Sequence, residues 1–220
     1  MATKMIFKVG SDGKAFVEEI IEYSYFSGFA VSQKQKSINS LHTAIKTKHP
    51  GLNVLEISTK SPLIEGADLS AFNLTLDGRP LECVFQSSKV FEGGIKHEFL
   101  LNEDPRDAKR YNKEFGSKLE KFNYKGEDFP LNPPSLFYDY IYIQALIHGD
   151  KDFSYVINYD AFTDIEFNEK KQINCQARAC AIYAYLLRNS KVEYYTSSIE
   201  KFKELYGCAS GTQLSLFETM

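Results

Sequence analysis

Tryptophan is missing from this sequence, and its four cysteines and four histidines are scattered along 220 residues without a Cys-x-x-Cys pair. These spacings match neither a disulfide framework nor a zinc site, so we predict reduced, mostly buried thiols and no zinc site. Walker loops and GxGxxG, GxSxG and HExxH motifs are also missing. Their absence excludes the usual nucleotide-binding and hydrolase classes.

Long apolar runs are missing as well. No run approaches the roughly 20 residues that a membrane-spanning helix needs, and residues 1–9 lack the layout of a signal peptide. We therefore expect a cytoplasmic protein without membrane contact. A net charge of −3 excludes a protein that coats DNA by bulk charge. Apolar residues make up 43% of the chain, which is enough for the core of one large domain.

Acidic residues are absent from the stretch 31–49. Ile38, Leu41 and Ile45 recur at i, i+3 and i+7, which predicts a helix with an apolar seam and a basic outer face. Two interpretations of that face stay open. It is a solvated helix surface, or it contacts the phosphate backbone of a nucleic acid. The candidate contacts are Lys34, Lys36, Lys46 and Lys48.

The rest of the pattern predicts many helices and a few short strands. Strands are predicted over 4–9, 54–58, 97–101 and 153–159. Helices are predicted from the spacing of Phe16, Ile20 and Ile21 and over 81–91, 105–116, 135–148, 173–188 and 198–206. Residues 118–134 are charged and broken by glycine and proline, so we expect a long loop there.

The segment LECVFQSSKVF, residues 81–91, follows a turn at Asp77-Gly78. In a continuous helix Glu82 and Lys89 would be nearly two turns apart and would share one face. The ordinary interpretation of such a pair is a surface ion pair on an amphipathic helix. The alternative, a reaction centre, depends on the surrounding residues.

Those residues resemble the NADAR family, the YbiA-like ADP-ribose-linkage glycosidases. Glu82, Phe85, Gln86 and Lys89 match its E-x-x-F-Q-x-x-K pattern in order and spacing. Upstream, the run 69–72 and the turn at 77–78 resemble its F-S-N-F and D-G elements. Downstream, residues 159–164 and then Asn174 resemble its aspartate segment and the asparagine before its last helix. The similarity covers about residues 16–190, with its core over 58–190.

Within the family, the sequence is most similar to a bacterial branch that is paired as antitoxin with DarT-type DNA ADP-ribosyltransferases. The resemblance implies an α+β, mostly helical single domain with a few short strands, which we place at residues 1–208. It also implies removal of ADP-ribose from guanine bases of DNA without a metal or cofactor. The implied partners are ADP-ribosylated DNA and the cognate toxin.

The resemblance further implies site residues. Glu82 would act as acid and base, and Lys89 as an amine that forms a Schiff base with ring-opened ribose. Because tryptophan is missing, Phe72, Phe162 or a tyrosine would have to stack on the ligand. Ligand-binding roles are implied for Ser70, Phe72, Phe85, Gln86, Asp160, Asp164 and Asn174. For the two aspartates a structural role as a turn cap is an equal alternative.

Two other functions stay open at this point. One is an N-glycosidase that acts on phosphoribosylated riboflavin precursors, and the other is a non-enzymatic protein that binds the toxin or a sliding clamp. The basic helix favours DNA over a small molecule. The presence of Glu82 and Lys89 favours an enzyme.

Residues 209–220 are predicted to form a flexible tail that carries the sequence QLSLF. Gln213, Leu214, Leu216 and Phe217 resemble the short bacterial peptide that docks on the replication sliding clamp. The alternative is a tail that packs back on the domain.

Overall fold

The computed structural model describes residues 1–114 and 117–207, without the side chains of residues 112–114. Its strands are β1 Ala2–Val9, β2 Phe16–Tyr23, β3 Val54–Glu56, β4 Thr75–Leu76, β5 Arg79–Pro80, β6 Lys89–Phe91, β7 Ile95–Lys96, β8 Leu119–Tyr124, β9 Glu127–Phe129 and β10 Ala161–Thr163. Its helices are α1 Val31–Lys48, α2 Ile64–Asp68, α3 Leu81–Ser87, α4 Pro105–Glu114, α5 Leu136–His148, α6 Gln176–Arg188, α7 Val192–Thr196 and α8 Ile199–Gly207. Short 3₁₀ turns cover Glu92–Gly94, Glu98–Asn102 and Ser154–Asn158.

A four-stranded sheet in the order β2-β1-β10-β3 forms the first half of the fold. Only β10 and β3 are parallel; the other neighbours are antiparallel. Because side chains alternate along a strand, Ile6 faces one side of this sheet and Phe7 the other. Ile6 packs with Ile38 and Leu41 of α1, whereas Phe7 joins the core that α5 and α6 supply. The sheet therefore lies between two helical layers.

A second sheet, in the order β7-β6-β8-β9, packs beside α3 and α5. Its core is aromatic. Phe137 of α5 stacks on Phe122 with ring centroids 4.5 Å apart, and it contacts Phe129 at 4.9 Å and Phe85 of α3 at 6.1 Å. The small hairpin of β4 and β5 leads into α3. These contacts fix the start of α3 against the second sheet.

A buried ion pair ties α5 to α6. The Arg178 guanidinium donates to both carboxylate oxygens of Asp139, at 2.8 and 3.3 Å. Tyr206 of α8 donates to the same carboxylate at 2.5 Å. Asp139 has no exposed surface, so these partners replace the water that it loses on folding.

The predicted α+β architecture is confirmed, with 44% helix against 20% strand. The strand over 4–9 and the helices over 31–49 and 135–148 are present with ends shifted by one to two residues. No helix in the described ranges is long and apolar enough to cross a bilayer. Cys83, Cys175 and Cys180 are unpaired and buried.

The helix predicted from Phe16, Ile20 and Ile21 is wrong. These residues lie on β2, which pairs with all of β1 through a hairpin whose turn has Asp12 and Gly13 at positive φ. Ile20 is exposed on this strand, so its apolar character indicates neither helix nor core. Pairing with a neighbouring strand overrides a short helical spacing.

The loop predicted over 118–134 is also wrong in part, because β8 and β9 form a hairpin there. Its turn has Lys125 and Gly126 at φ 52° and 83°, the conformation that joins tightly twisted strands. The predicted strands over 97–101 and 153–159 are 3₁₀ turns instead. The tail residues Gln213, Leu214, Leu216 and Phe217 lie outside the described ranges, so clamp docking stays a prediction.

Replacing Asp139 with alanine is expected to destabilise the protein by about 3–5 kcal/mol, because Arg178 would stay buried without its counter-charge. Urea denaturation measures the loss. Asp107→Ala is the matched control, since Asp107 pairs with Arg110 on the surface and should change stability by less than about 1 kcal/mol. Equal effects of the two substitutions would contradict the structural role of Asp139.

Candidate active site

The seven residues of α3 are all buried, although the helix carries a carboxylate in its first turn. That carboxylate belongs to Glu82, and its Oε1 accepts a hydrogen bond of 2.7 Å from Nε2 of Gln86 one turn later. A buried carboxylate needs such a partner. Gln86 therefore holds this carboxylate in one orientation through an i, i+4 contact on α3.

The helix ends before Lys89, so the predicted continuous helix over 81–91 is wrong. The hydroxyls of Ser87 and Ser88 both donate to the carbonyl of Val84, at 3.1 and 2.7 Å, and occupy the last turn. The chain then enters β6, where Lys89 pairs with Phe122 of β8. Strand pairing, not helical periodicity, places Lys89 near α3.

Lys89 lies in a poorly solvated environment. Its ammonium is 5.2 Å from the ring centroid of Phe85, which is itself buried against Phe122. Burial lowers the pKa of Lys89; the charge of Glu82 raises it, and the charge of Lys109 lowers it further. Lys89 and Glu82 both lie in the part of the chain that the structure describes, and they form no salt bridge with each other. A lysine with a lowered pKa is the kind that serves as a nucleophilic amine.

An exposed ring lies at the edge of this site. Phe72 is 46% exposed, and the ammonium of Lys109 on α4 is 5.7 Å from its ring centroid. Since Lys109 also acts on the charge of Lys89, the two lysines share one neighbourhood. Phe72 thus offers an exposed flat ring beside Lys109, whereas Phe85 is a buried ring next to Lys89.

Tyr138 of α5 packs against the ring that lies next to Lys89. Its ring meets Phe85 edge-on, with centroids 5.4 Å apart, and only 8% of the residue is exposed. Burial, followed by the charges of Glu82 and Asp164, raises the pKa of Tyr138 well above its ordinary value. Tyr138 therefore lies within electrostatic reach of both acids.

The carboxyl ends of the parallel strands β3 and β10 meet beside this region and carry two buried acids. Glu56 accepts hydrogen bonds from Ser58 at 2.8 Å, from Thr163 at 2.5 Å and from the amide of Ile165 at 2.8 Å. The ammonium of Lys4 donates to the carbonyl oxygens of Ile165 and Phe167. The network makes this edge of the sheet rigid and polar.

The structure separates the two candidate aspartates, because Asp160 precedes β10 and Asp164 follows it. Asp160 accepts from Arg188 at 2.9 Å and from the amide of Asn53 at 3.0 Å, a structural role at the far edge of the sheet. Asp164 accepts from the amides of Glu166 and Phe167. Only Asp164 lies at the edge that carries Glu56.

Ser70 and Asn174 lie on the two segments that Gln176 connects. Gln176 accepts from the amide of Ala71 at 2.9 Å and donates to the carbonyl of Ile57 at 2.6 Å. Ser70 is buried, and Asn174 is half-buried just before α6. Burial raises the pKa of the adjacent Cys175 well above its ordinary value, so this thiol is not a nucleophile.

The four candidate lysines of α1 divide into two pairs. Lys34 bonds to Glu166 at 3.1 Å, and Lys48 bonds to Glu19 at 2.7 Å. Lys36 and Lys46 are exposed, and neither forms a salt bridge within the described chain. The described residues also contain no group of three histidines, cysteines, aspartates or glutamates arranged to hold a metal ion.

Sequence reasoning missed three members of the site. Tyr138 lies in the helix predicted over 135–148 and Lys109 in the helix predicted over 105–116, and neither pattern marks a site residue. Glu56 stands inside the apolar run VLEIS, and a lone carboxylate in such a run is the signal that was available. Lys109 has no comparable signal, because distant packing brings it to Phe72.

The α+β fold, with Glu82 and Gln86 on α3 and Lys89 on the adjoining strand, defines a protein of the NADAR class. A family model described as "DarT1-associated NADAR antitoxin" matches residues 2–214. The chain therefore belongs to this antitoxin family. No curated protein matches the sequence.

Asp164→Asn is expected to stabilise the protein more at pH 8 than at pH 5. Burial and the charge of Glu56 raise the pKa of Asp164 from 3.8 to about 7. The folded state then binds a proton that the unfolded state releases, so stability falls as pH rises between these values. Asparagine keeps the acceptor oxygen for the two amides and removes the titration.

Urea denaturation at both pH values measures this difference, which should be at least about 1 kcal/mol in favour of the variant at pH 8. Asp77→Asn is the control, because hydrogen bonds from Lys125 and Tyr124 lower the pKa of Asp77. It should cost the same stability at pH 5 and pH 8. A pH-independent effect of Asp164→Asn would contradict a raised pKa.

Proposed function

We propose that this protein removes ADP-ribose from guanine bases in DNA and so reverses the modification made by a DarT-type toxin. The observation that supports the proposal most is the position of Lys89, whose pKa is lowered by burial, within electrostatic reach of the buried Glu82. Membership of a DarT1-associated antitoxin family supports the choice of reaction.

The bond to be cleaved joins a guanine nitrogen to the anomeric carbon of ribose. Its cleavage needs a proton for the ring oxygen or the leaving nitrogen, and a group that stabilises the electron-poor carbon. Glu82 supplies the proton, held in place by Gln86. Lys89 supplies the amine. An amine must be neutral to attack, so Lys89 needs a lower pKa than a solvated lysine has, and burial lowers it.

The proposed reaction has three steps. Glu82 protonates the ribose ring oxygen as its bond to the anomeric carbon breaks and the lone pair of guanine forms a C=N bond. The Lys89 amine adds to that carbon, and guanine leaves with the bonding electrons and a proton from the Lys89 nitrogen. Water then hydrolyses the resulting imine, which releases ADP-ribose and restores Lys89 and Glu82.

The surrounding residues have matching roles. Phe72 provides a ring for stacking, and Lys109, beside it, provides a cation for a phosphate. The Tyr138 hydroxyl and Asp164 provide a donor and an acceptor for ribose hydroxyls. Ser70 and Asn174 lie on segments that border this region and are proposed to contact the ligand with them.

A DNA substrate is favoured over a phosphoribosylated small molecule by the face of α1. This helix has no acidic residue over 31–49, and it leaves Lys36 and Lys46 exposed in a protein of net charge −3. A small metabolite does not require such a surface, whereas a phosphate backbone does. A purely toxin-binding role is disfavoured because it does not require a buried Glu82 beside Lys89.

The wild-type protein is expected to release ADP-ribose from single-stranded oligonucleotides modified on guanine and not from those modified on thymine. Glu82→Gln should lower kcat by about 100-fold or more, because the proton donor is lost while the shape is kept. Glu98→Gln is the matched control, since Glu98 is exposed, and it should leave kcat unchanged. Full activity of Glu82→Gln would refute the assignment.

Borohydride added during turnover is expected to trap ADP-ribose covalently on Lys89, because reduction converts the imine to a stable secondary amine. Peptide mass spectrometry locates the adduct. Lys89→Arg should give no adduct and no turnover, whereas Lys96→Arg, at the edge of the second sheet, should behave as wild type. An active Lys89→Arg protein would exclude covalent catalysis.

A further inference from the structure

Large apolar side chains are exposed together in the aromatic loop, residues 24–30, which joins β2 to α1. Tyr25 is 48% exposed, Phe26 40% and Phe29 100%. Val31, the first residue of α1, is also exposed. Single exposed apolar residues are common, but a group of rings in one short loop is typical of a contact surface.

Hydrogen bonds hold this loop against α1. The buried Ser37 hydroxyl accepts from the amide of Phe26 at 2.9 Å and contacts its carbonyl at 3.3 Å. The Ser40 hydroxyl accepts from the amide of Ser24 at 3.1 Å. Gly28 has φ 130°, which side chains rarely allow. Since the backbone of the loop is already fixed, binding of a ligand to the rings costs little entropy for ordering the loop.

The loop lies at the same edge of the first sheet as Asp164. β2 and β10 are both antiparallel to β1, so they run in the same direction and their carboxyl ends point to the same end of the sheet. Two contacts confirm this placement. Lys34, in the first turn of α1, bonds to Glu166 at 3.1 Å, and His42 bonds to Thr163 at 2.9 Å. An extended ligand that runs from the proposed site along this end of the sheet would therefore reach the aromatic loop.

The charges around the loop fit a polynucleotide. The first turn of α1 contains no acidic residue, and the exposed Lys36 directly precedes Ser37, which binds the backbone of Phe26. Flat rings beside cations bind single-stranded nucleic acids by stacking on bases and contacting phosphates. The buried cores of protein interfaces, by contrast, are depleted of lysine. The combination of exposed rings and an exposed lysine on a helix without acidic residues favours nucleic acid over a protein partner.

We propose that the aromatic loop is a stacking platform for unmodified bases that flank the ADP-ribosylated guanine in single-stranded DNA. Tyr25, Phe26 and Phe29 would stack on those bases, and Lys36 would contact the backbone between them. The inference rests on the proposed function, because it assumes a DNA substrate. It adds an extended subsite outside the reaction centre.

The first experiment measures binding of an unmodified single-stranded 12-mer by fluorescence anisotropy. Phe29→Ala should weaken binding about 5- to 150-fold, since stacking on one ring contributes about 1–3 kcal/mol per base. Phe29 is fully exposed, so the substitution removes no packing. Lys36→Gln should weaken binding and reduce its salt dependence. Ile157→Ala, an exposed residue near the opposite edge of the sheet, is the matched control and should bind as wild type.

The second experiment compares turnover of a modified oligonucleotide with that of ADP-ribosylated guanosine. Phe29→Ala should raise KM for the oligonucleotide by the same factor as Kd and leave the nucleoside unchanged. Unaltered oligonucleotide binding by Phe29→Ala would overturn the platform. Loss of toxin binding with intact DNA binding would overturn it too and assign the surface to the toxin. The binding measurement needs no turnover, so it tests the aromatic loop even if neither substrate is hydrolysed. Failure to hydrolyse either substrate would refute only the proposed reaction.

Discussion

The ion pair between Asp139 and Arg178 is the constraint on which the rest of the structure depends. Two charges that are removed from water must stay together, and they fix the rotation of α5 against α6. Tyr206 adds α8 to the same carboxylate. With α5 held in this way, Tyr138 is directed to Phe85 and Phe137 to the second sheet. The two halves of the fold therefore meet in one defined arrangement.

The candidate active site forms where these halves meet, and each half contributes a different kind of chemistry. The second sheet and α3 supply the Lys89 amine, which lies against the buried ring of Phe85, and the buried carboxyl of Glu82. The first sheet supplies the hydrogen-bonded acids Glu56 and Asp164 at the ends of β3 and β10. Burial lowers the pKa of Lys89, whereas burial and then the charge of Glu56 raise the pKa of Asp164 to about 7. Burial therefore shifts both groups toward their neutral forms.

Local pattern predicted those parts of the molecule that depend on local sequence. The apolar seam of α1 is an example, since Ile38, Leu41 and Ile45 are close in the chain and all three are buried. Prediction failed for β2 and for the β8–β9 hairpin, where the pairing partner decides the structure. It also failed for Lys109 and Glu56, because their roles arise only when distant segments pack together. The segment changes from helix to strand between Glu82 and Lys89, so strand pairing, which the local pattern does not reveal, places Lys89 near α3.

The position of β10 in the first sheet determines when the protein can fold during its synthesis. This strand pairs with β1 on one side and β3 on the other, and Lys4 reaches a carbonyl 163 positions later in the chain. An N-terminal half that has left the ribosome cannot complete its sheet, and Tyr206 joins Asp139 later still. At 5–20 residues per second, synthesis of the chain takes about 10–40 s. Protection by this antitoxin therefore begins only when nearly the whole chain has been made.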